Sequence, residues 1–277
     1  DNKQGGTTLI KMVALDLDGT LLTSDKNISK VNENVLKQIH HDGIKVVLCT
    51  GRPINAIWPY IEQLGLTGED DYTITFNGAL VVHNNDKQEL FKQGMTKASF
   101  EPLFEYANQA NGPLDILDFD RVYSIADLKN SMYQQQFKGN IEFVSRSFSD
   151  LGEDDLYSKG IVCDKPEVLD EFRIDMPVRV GQQYHIVRSQ PQIMEFLAPK
   201  MDKTVGLKAL LKHFGWNFNQ LMAFGDSDND LGMITHAEIG VAMKNGKEEI
   251  KAVSSVVTTD NDSDGVGQYL KSYFSIR

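Results

Sequence analysis

The chain has 277 residues, 41% hydrophobic and 24% charged, which fits an ordinary globular protein of one large domain or two small ones. Its formal net charge of −11 leaves no basic footprint for nucleic acid, and an anionic substrate would need a local cation or oriented N–H groups to bind. No apolar run approaches the ~20 residues of a membrane span.

Cys49 and Cys163 have neither CxxC nor zinc spacing and sit in apolar runs, so they read as buried free thiols in a reducing, cytoplasmic setting. Residues 1–10 are polar and Gly-rich, with no basic start or apolar core. They read as a frayed extension rather than a signal peptide.

Alternating elements are predicted from there. Residues 11–17 form an apolar strand. A helix capped by Ser29 runs to about His41 with Val31, Val35, Leu36 and Ile39 on one face, and Gly43 closes it. A second strand covers 44–50. A helix is expected from Pro53 to Leu64, kinked at Pro59. A third strand covers 72–77. This βαβαβ start predicts a parallel sheet.

The pattern then loosens. Between 82 and 199 the expected elements are helices at 99–111 and 126–138 and strands at 160–164, 178–181, 184–189 and 193–197. The last three strands would form an antiparallel meander. Regular alternation resumes with a helix at 203–214, a strand at 221–224, a helix near Asp228, a strand at 239–243, a helix at 247–252, a strand at 255–258 and a final helix from Val266. The predicted fold class is α/β: a Rossmann-like core with a parallel sheet, plus an inserted α+β cap. The core would comprise 1–81 and 200–277, the cap 82–199.

The chemistry concentrates in two acidic clusters, Asp16-Leu17-Asp18-Gly19-Thr20 and Gly225-Asp226-Ser227-Asp228-Asn229-Asp230. Each follows an apolar strand. In a parallel sheet, ligands gather where strands end. Clustered carboxylates there make a hard, oxygen-rich site suited to Mg²⁺, beside which an Asp can attack phosphorus. A surface Asp-Gly turn competes as an explanation, but carboxylates directly after buried strands are costly without a cation. Thr50-Gly51-Arg52-Pro53 offers a hydroxyl, an N–H and a helix start to an anion, although a plain turn would use the same residues. Lys203 opens a helix, where its charge opposes the dipole; a solvated surface lysine is the competing reading. Asp226-x-Asp-x-Asp and the loop at 260–265 imitate the start of an EF-hand, but their twelfth positions hold Ala237 and Lys271, so calcium is rejected. Walker, Gly-x-Gly-x-x-Gly, His-Glu-x-x-His and Gly-x-Ser-x-Gly motifs are absent.

The ordered set resembles the haloacid dehalogenase (HAD) superfamily: Asp16-Leu17-Asp18-Gly19-Thr20, then Thr50, Lys203, and Gly225-Asp226 through Asp230. The insertion resembles that family's type II cap. Thr50-Gly51-Arg52, Asn77-Gly78-Ala79 and Gly225-Asp226-x-x-Asn229-Asp230 resemble the Cof-like sugar-phosphatase branch. The resemblance implies Asp16 as nucleophile and Asp18 as general acid and base, for which a raised pKa would help. It implies Mg²⁺ held by Asp16, the Asp18 carbonyl and Asp226, with Asp230 in support. Lys203, Thr50, Gly51 and Asn229 would hold the phosphoryl group. Thr204 departs from the usual Gly after the lysine, which leaves Lys208 as a competitor placed well inside the helix.

The expected activity is Mg²⁺-dependent hydrolysis of small phosphomonoesters, with sugar phosphates as the expected class and an aspartyl-phosphate intermediate. The partner is then a small molecule, without nucleic acid or membrane, and the chain a monomer or weak homodimer. A sugar phosphomutase is the first alternative, with Arg179 and Arg188 available for a second phosphate. A non-catalytic phospho-ligand sensor is the other, although a sensor needs no nucleophile.

Overall fold

The computed structural model describes residues 9–137 and 139–277. Of the extension expected over residues 1–10, residues 1–8 lie outside them, and Ile10 is buried in the core rather than frayed. The strands are β1 (Met12–Leu15), β2 (Lys45–Leu48), β3 (Tyr72–Thr75), β4 (Leu80–His83), β5 (Glu89–Lys92), β6 (Asp115–Leu117), β7 (Arg121–Ile125), β8 (Glu142–Arg146), β9 (Lys159–Cys163), β10 (His185–Gln190), β11 (Ile193–Leu197), β12 (Leu221–Gly225), β13 (Ile239–Met243) and β14 (Val256–Thr258).

Five of them build a parallel sheet in the order β14-β13-β12-β1-β2. Its central strands are apolar on both faces because helices cover both. Val13 and Leu15 pack with Val35, Leu36 and Ile39 of helix Lys30–His41 and with Val266 and Leu270 of helix Gly265–Phe274. Met12 and Ala14 point the other way, towards Leu207 and Leu210 of helix Lys203–His213, with Ile234 and Ile250. The period-two alternation of strand side chains thus produces a three-layer sandwich. Ser29 caps its helix by accepting from the Asn32 N–H at 3.2 Å.

The third expected strand behaves differently. β3 touches the parallel sheet through a single bridge, Ile74 to Cys49, and pairs antiparallel with β4, which pairs with β5. The turn between β3 and β4 takes positive φ at Phe76, Asn77 and Gly78 in succession. At Gly78 (φ 100°) a Cβ would lie 2.1 Å from the Asp202 carbonyl oxygen, so glycine permits the close approach of the helix that begins at Lys203.

The inserted sheet is mixed, in the order β10-β11-β9-β6-β7-β8; only β7 and β8 pair in parallel. Three expectations fail in detail. Residues 178–181 form a helical turn, not a strand, because Pro177 sets the backbone for a helix start. The helix expected over 126–138 shrinks to Tyr133–Gln136, and Lys138 lies outside the described residues. The Asp127 carboxylate instead accepts the Phe148 N–H and the Ser131 hydroxyl that of Tyr133, side-chain bonds that compete with helix. The kinked helix from Pro53 is a 3-10 turn, Ile54–Ala56, and a separate helix, Trp58–Gln63, with Pro59 in its first turn, where a missing N–H costs nothing. Strands β4 to β8 and helix Pro166–Asp175 were not anticipated. Both cysteines are buried and free, and no helix among the described residues is long and apolar enough to cross a membrane.

Asp115, in the middle of the inserted sheet, is fully buried and receives the Ser124 hydroxyl at 2.8 Å and that of Ser131. Burial outweighs both hydrogen bonds and raises its pKa from 3.8 to about 6. A raised folded-state pKa means that its stabilising contribution is complete below pH 3.8 and lost as pH rises through about 6. Asp115→Asn is therefore expected to flatten the urea-denaturation stability profile between about pH 4 and 6, gaining up to about 3 kcal/mol over the native chain at neutral pH. Parallel profiles for the two proteins would refute this.

Candidate active site

Parallel pairing brings the C-terminal ends of β1, β2 and β12 to one edge, and the loops that leave them carry every predicted residue except Lys203. Asp16 follows β1 directly, with its N–H on the Phe224 carbonyl at 3.1 Å. The chain then makes a tight turn over Leu17–Leu21 with Gly19 at φ 77°. A Cβ at Gly19 would stand 2.3 Å from Asp226 Oδ2, so this glycine lets the two acidic loops meet.

Asp16, Asp226 and Asp230 offer carboxylate oxygens within 4.8 Å of one another. Lys203 Nζ sits among them, 2.7 Å from Asp16 Oδ1 and 2.6 Å from Asp230 Oδ1, and is 0% exposed. The solvated-lysine reading is thereby excluded, and the competitor Lys208 is exposed. Asp230 uses its other oxygen to accept the N–H groups of Asp226 (2.9 Å) and Ser227 (3.1 Å). It therefore positions Lys203 and shapes the turn. Asp226 accepts the Thr20 hydroxyl at 2.9 Å and the Ser227 hydroxyl at 2.9 Å.

Three carboxylates against one ammonium leave this pocket short of positive charge. Burial raises Asp16 to about 7, with Lys203 opposing and Asp226 adding to the rise. Burial, then repulsion from Asp16, lifts Asp230 to about 7 against the pull of Lys203. Asp226 is raised by burial and Asp230. Lys203 is desolvated too, but the attraction of Asp16 and Asp230 prevails and raises its pKa. A hard cation beside Asp16 and Asp226 would relieve this imbalance, and an all-oxygen donor set fits one. The triad is consistent with a metal site.

Asp18 leaves the cluster. Its carboxylate receives Arg52 Nε at 2.7 Å, Arg52 Nη2 at 2.6 Å and Lys26 Nζ at 2.8 Å. Burial alone would raise its pKa, but Arg52 and Lys26 outweigh burial and hold it low. The raised pKa that would help Asp18 act as an acid is therefore not found; the shift runs the other way. Neither cation was singled out for this role, since each is an ordinary surface residue in sequence.

Thr50 is buried, donates its N–H to the Ile74 carbonyl, and accepts the Arg52 N–H at its hydroxyl at 3.0 Å. A Cβ at Gly51 would meet Asn77 Oδ1 at 2.8 Å. Asn229 donates to the same Asn77 oxygen at 3.2 Å. Asp16, Asp18, Thr50, Gly51 and Asn229 all line one cavity of about 290 Å³. Asp228 instead pairs with Lys247, and Asp260 caps the 3-10 turn Asn261–Ser263. Arg188 is held by Asp170 and the Pro191 carbonyl, and Arg179 is exposed; neither lines the cavity.

Two groups absent from the sequence reading come from the inserted sheet. Lys159 on β9 and Glu195 on β11 form a buried ion pair, 2% and 4% exposed, and line the same cavity. Lys159 Nζ also donates to the Gly51 carbonyl at 2.6 Å, and Glu195 Oε1 accepts from Asn77 Nδ2 at 3.4 Å. A lone charge in each apolar strand, Lys-Gly-Ile-Val-Cys and Ile-Met-Glu-Phe-Leu, was the available signal.

The model of the haloacid dehalogenase-like hydrolases matches residues 13–270. The chain belongs to that family. It is similar to 5-amino-6-(5-phospho-D-ribitylamino)uracil phosphatase YitU of Bacillus subtilis, 30% identical over 275 residues that cover 96% of this chain and 98% of the relative. Among solved structures it resembles a haloacid dehalogenase-like hydrolase from Bacteroides thetaiotaomicron, with TM-score 0.82, 27% identity, and coverage of 96% of this chain and 100% of the other. It also resembles the subclass IIB sugar phosphatase BT4131, with TM-score 0.81, 25% identity, and coverage of 96% and 100%. The hydrolase is a Cof-like, HAD-type phosphatase acting on small phosphomonoesters.

Lys203→Met in this phosphatase removes the only cation within hydrogen-bonding distance of Asp16 and Asp230 among the described residues. Breaking a buried pair from one side is expected to cost about 3–5 kcal/mol, read as a lower urea midpoint. An unchanged midpoint would contradict the charge balance described above.

Proposed function

We propose that the chain hydrolyses phosphate esters of polyhydroxylated small molecules, sugar phosphates foremost, through an aspartyl-phosphate at Asp16. The observation that carries this reading is the position of Asp16: its carboxylate is anchored by Lys203 and lines a cavity that Asp18 also lines. In the first step an Asp16 oxygen bonds to phosphorus as the ester P–O bond breaks. Asp18 gives its proton to the departing alkoxide oxygen. In the second step water attacks phosphorus, its proton passes to Asp18, and the Asp16–phosphorus bond breaks to release inorganic phosphate. Lys203, the Thr50 hydroxyl, the Gly51 N–H and Asn229 neutralise and orient the phosphoryl oxygens.

Asp16, the Asp18 carbonyl and Asp226 would hold Mg²⁺, which supplies charge neutralisation for the phosphoryl group and for the cluster. Asp230 stays with Lys203. Arg52 must yield Asp18 for its proton transfer, because a carboxylate held low by two cations is a poor acid. We place the cap at about 93–199, later than the residue 82 expected from sequence, because β4 and β5 pair with β3 beside the core sheet. The −11 charge favours a small-molecule partner over nucleic acid, and two buried free thiols fit a reducing cytoplasm.

The relative YitU acts, by its name, on a ribityl phosphate attached to a pyrimidine. Tyr133 and Phe137 line the cavity with ring centroids 5.6 Å apart, which would suit a planar base as well as a sugar face. Phosphate release from a panel of hexose, pentose and alditol phosphates and the ribitylaminouracil phosphate separates the two substrates. Each is assayed with Mg²⁺ and with a chelator. Turnover is expected to need the cation and to fall at least about 10³-fold in Asp16→Asn. Turnover that survives that substitution would refute the nucleophile.

A further inference from the structure

The three cap residues Tyr133, Lys159 and Glu195 meet at the same cavity with polar capacity left over. Tyr133 is 5% exposed, and its hydroxyl has no hydrogen-bond partner among the described residues. Tyr133 lines the cavity together with Lys159 and Glu195. Lys159 uses its protons on Gly51 O and Glu195 Oε1, which leaves a third. Glu195 Oε1 takes Lys159 and Asn77, while no side chain or backbone group among the described residues donates to Oε2. The register explains the convergence. Glu195 pairs with Ile161, so Lys159, Ile161, Ile193 and Glu195 share one face of the sheet, and all four line the cavity.

We infer that Tyr133, Lys159 and Glu195 form the subsite that selects the leaving group, and that it takes a neutral chain with adjacent hydroxyls rather than a second anionic group. This rests on the phosphatase reading given above. Each hydroxyl of a diol donates one proton and accepts another. A free carboxylate oxygen beside an ammonium proton therefore matches two neighbouring hydroxyls, and the Tyr133 phenol can serve a third. A second phosphate or a carboxylate would meet Glu195 Oε2, while the Lys159 charge is already balanced by Glu195. A substrate without hydroxyls would leave these buried groups unpaired, which such sites reject strongly. The same three residues thus disfavour a bisphosphate and with it the mutase alternative.

The test compares kcat/KM for glucose 6-phosphate, ribose 5-phosphate and sorbitol 6-phosphate with phenyl phosphate, which has no leaving-group hydroxyl to bind beyond the ester oxygen. Fructose 1,6-bisphosphate serves as the anionic probe. Wild type is expected to prefer the best polyol phosphate over phenyl phosphate by at least 100-fold and over the bisphosphate by at least 10-fold, as ~1.4 kcal/mol per factor of ten implies for a few hydrogen bonds. Tyr133→Phe is expected to lower the polyol-to-phenyl ratio about 10-fold, through KM more than kcat. Glu195→Gln should lower it further and narrow the discrimination against the bisphosphate. Tyr133→Phe deletes only an unpartnered hydroxyl, so it keeps the test decisive if Glu195→Gln folds poorly. Ratios that stay at the wild-type value in Tyr133→Phe, or a bisphosphate preferred by wild type, would overturn the assignment while leaving the polyol reading standing. If wild type hydrolyses phenyl phosphate but none of the polyol phosphates, both fall.

Discussion

A buried ammonium among buried carboxylates is the constraint on which the site depends. Lys203 can be wholly enclosed only because Asp16 and Asp230 contact it. Those carboxylates in turn can be enclosed only because Lys203 is there, and a third, Asp226, makes the balance negative. Each partner comes from a different stretch of chain: the end of β1, the turn after β12, and the first residue of helix Lys203–His213. The parallel sheet is what delivers the first two to one edge. The left-handed turn at 76–78 and the close packing at Gly78 deliver the third.

Polar side chains from distant loops then fix the acidic loop. Asn245 Nδ2 donates to the Gly19 carbonyl at 2.9 Å, and Asn261 Nδ2 to that of Leu22 at 2.9 Å; the two are joined by the Asn261 N–H on Asn245 Oδ1. The Asp262 carboxylate takes the Ser24 N–H and hydroxyl. The acidic run at 260–264, which imitates a calcium loop in sequence, is in this way a clamp on the loop that follows Asp16. Loops held by such bonds keep their geometry without help from a ligand. On the cap side, Asn77 links Glu195 to Asn229, so the inserted sheet and the core share one hydrogen-bonded chain across the cavity.

Much of the core was legible because its signals are local. Apolar strands followed by Asp, capped helices and glycines at turns specify β1, β2, β12 and β13 and place Asp16 and Asp226 at their ends. Lys203 was readable as a misfit at a helix start. The rest depended on tertiary contacts. The hold of Arg52 and Lys26 on Asp18 joins residues 34 and 8 positions apart, and nothing in the local pattern announces it. β3 meets the end of β2 in the expected parallel sense, but only through one bridge, and its antiparallel pairing with β4 went unread because apolar content is the same in either pairing. In the inserted sheet the strands are short, and Pro177 with alternating valines imitates a strand where the chain forms a helical turn. Lys159 and Glu195 were visible only as isolated charges in apolar strands, a cue that identifies a buried pair once register is known.

The central claim of the proposal is that the carboxylate cluster lacks two positive charges and that a divalent cation between Asp16 and Asp226 would supply them. Calorimetric titration of the cation-free protein with Mg²⁺ tests this without reference to any substrate. The account predicts one saturable site in the native chain and its loss in Asp226→Asn. Absence of Mg²⁺ binding to the native chain, or binding unaffected by that substitution, would contradict it.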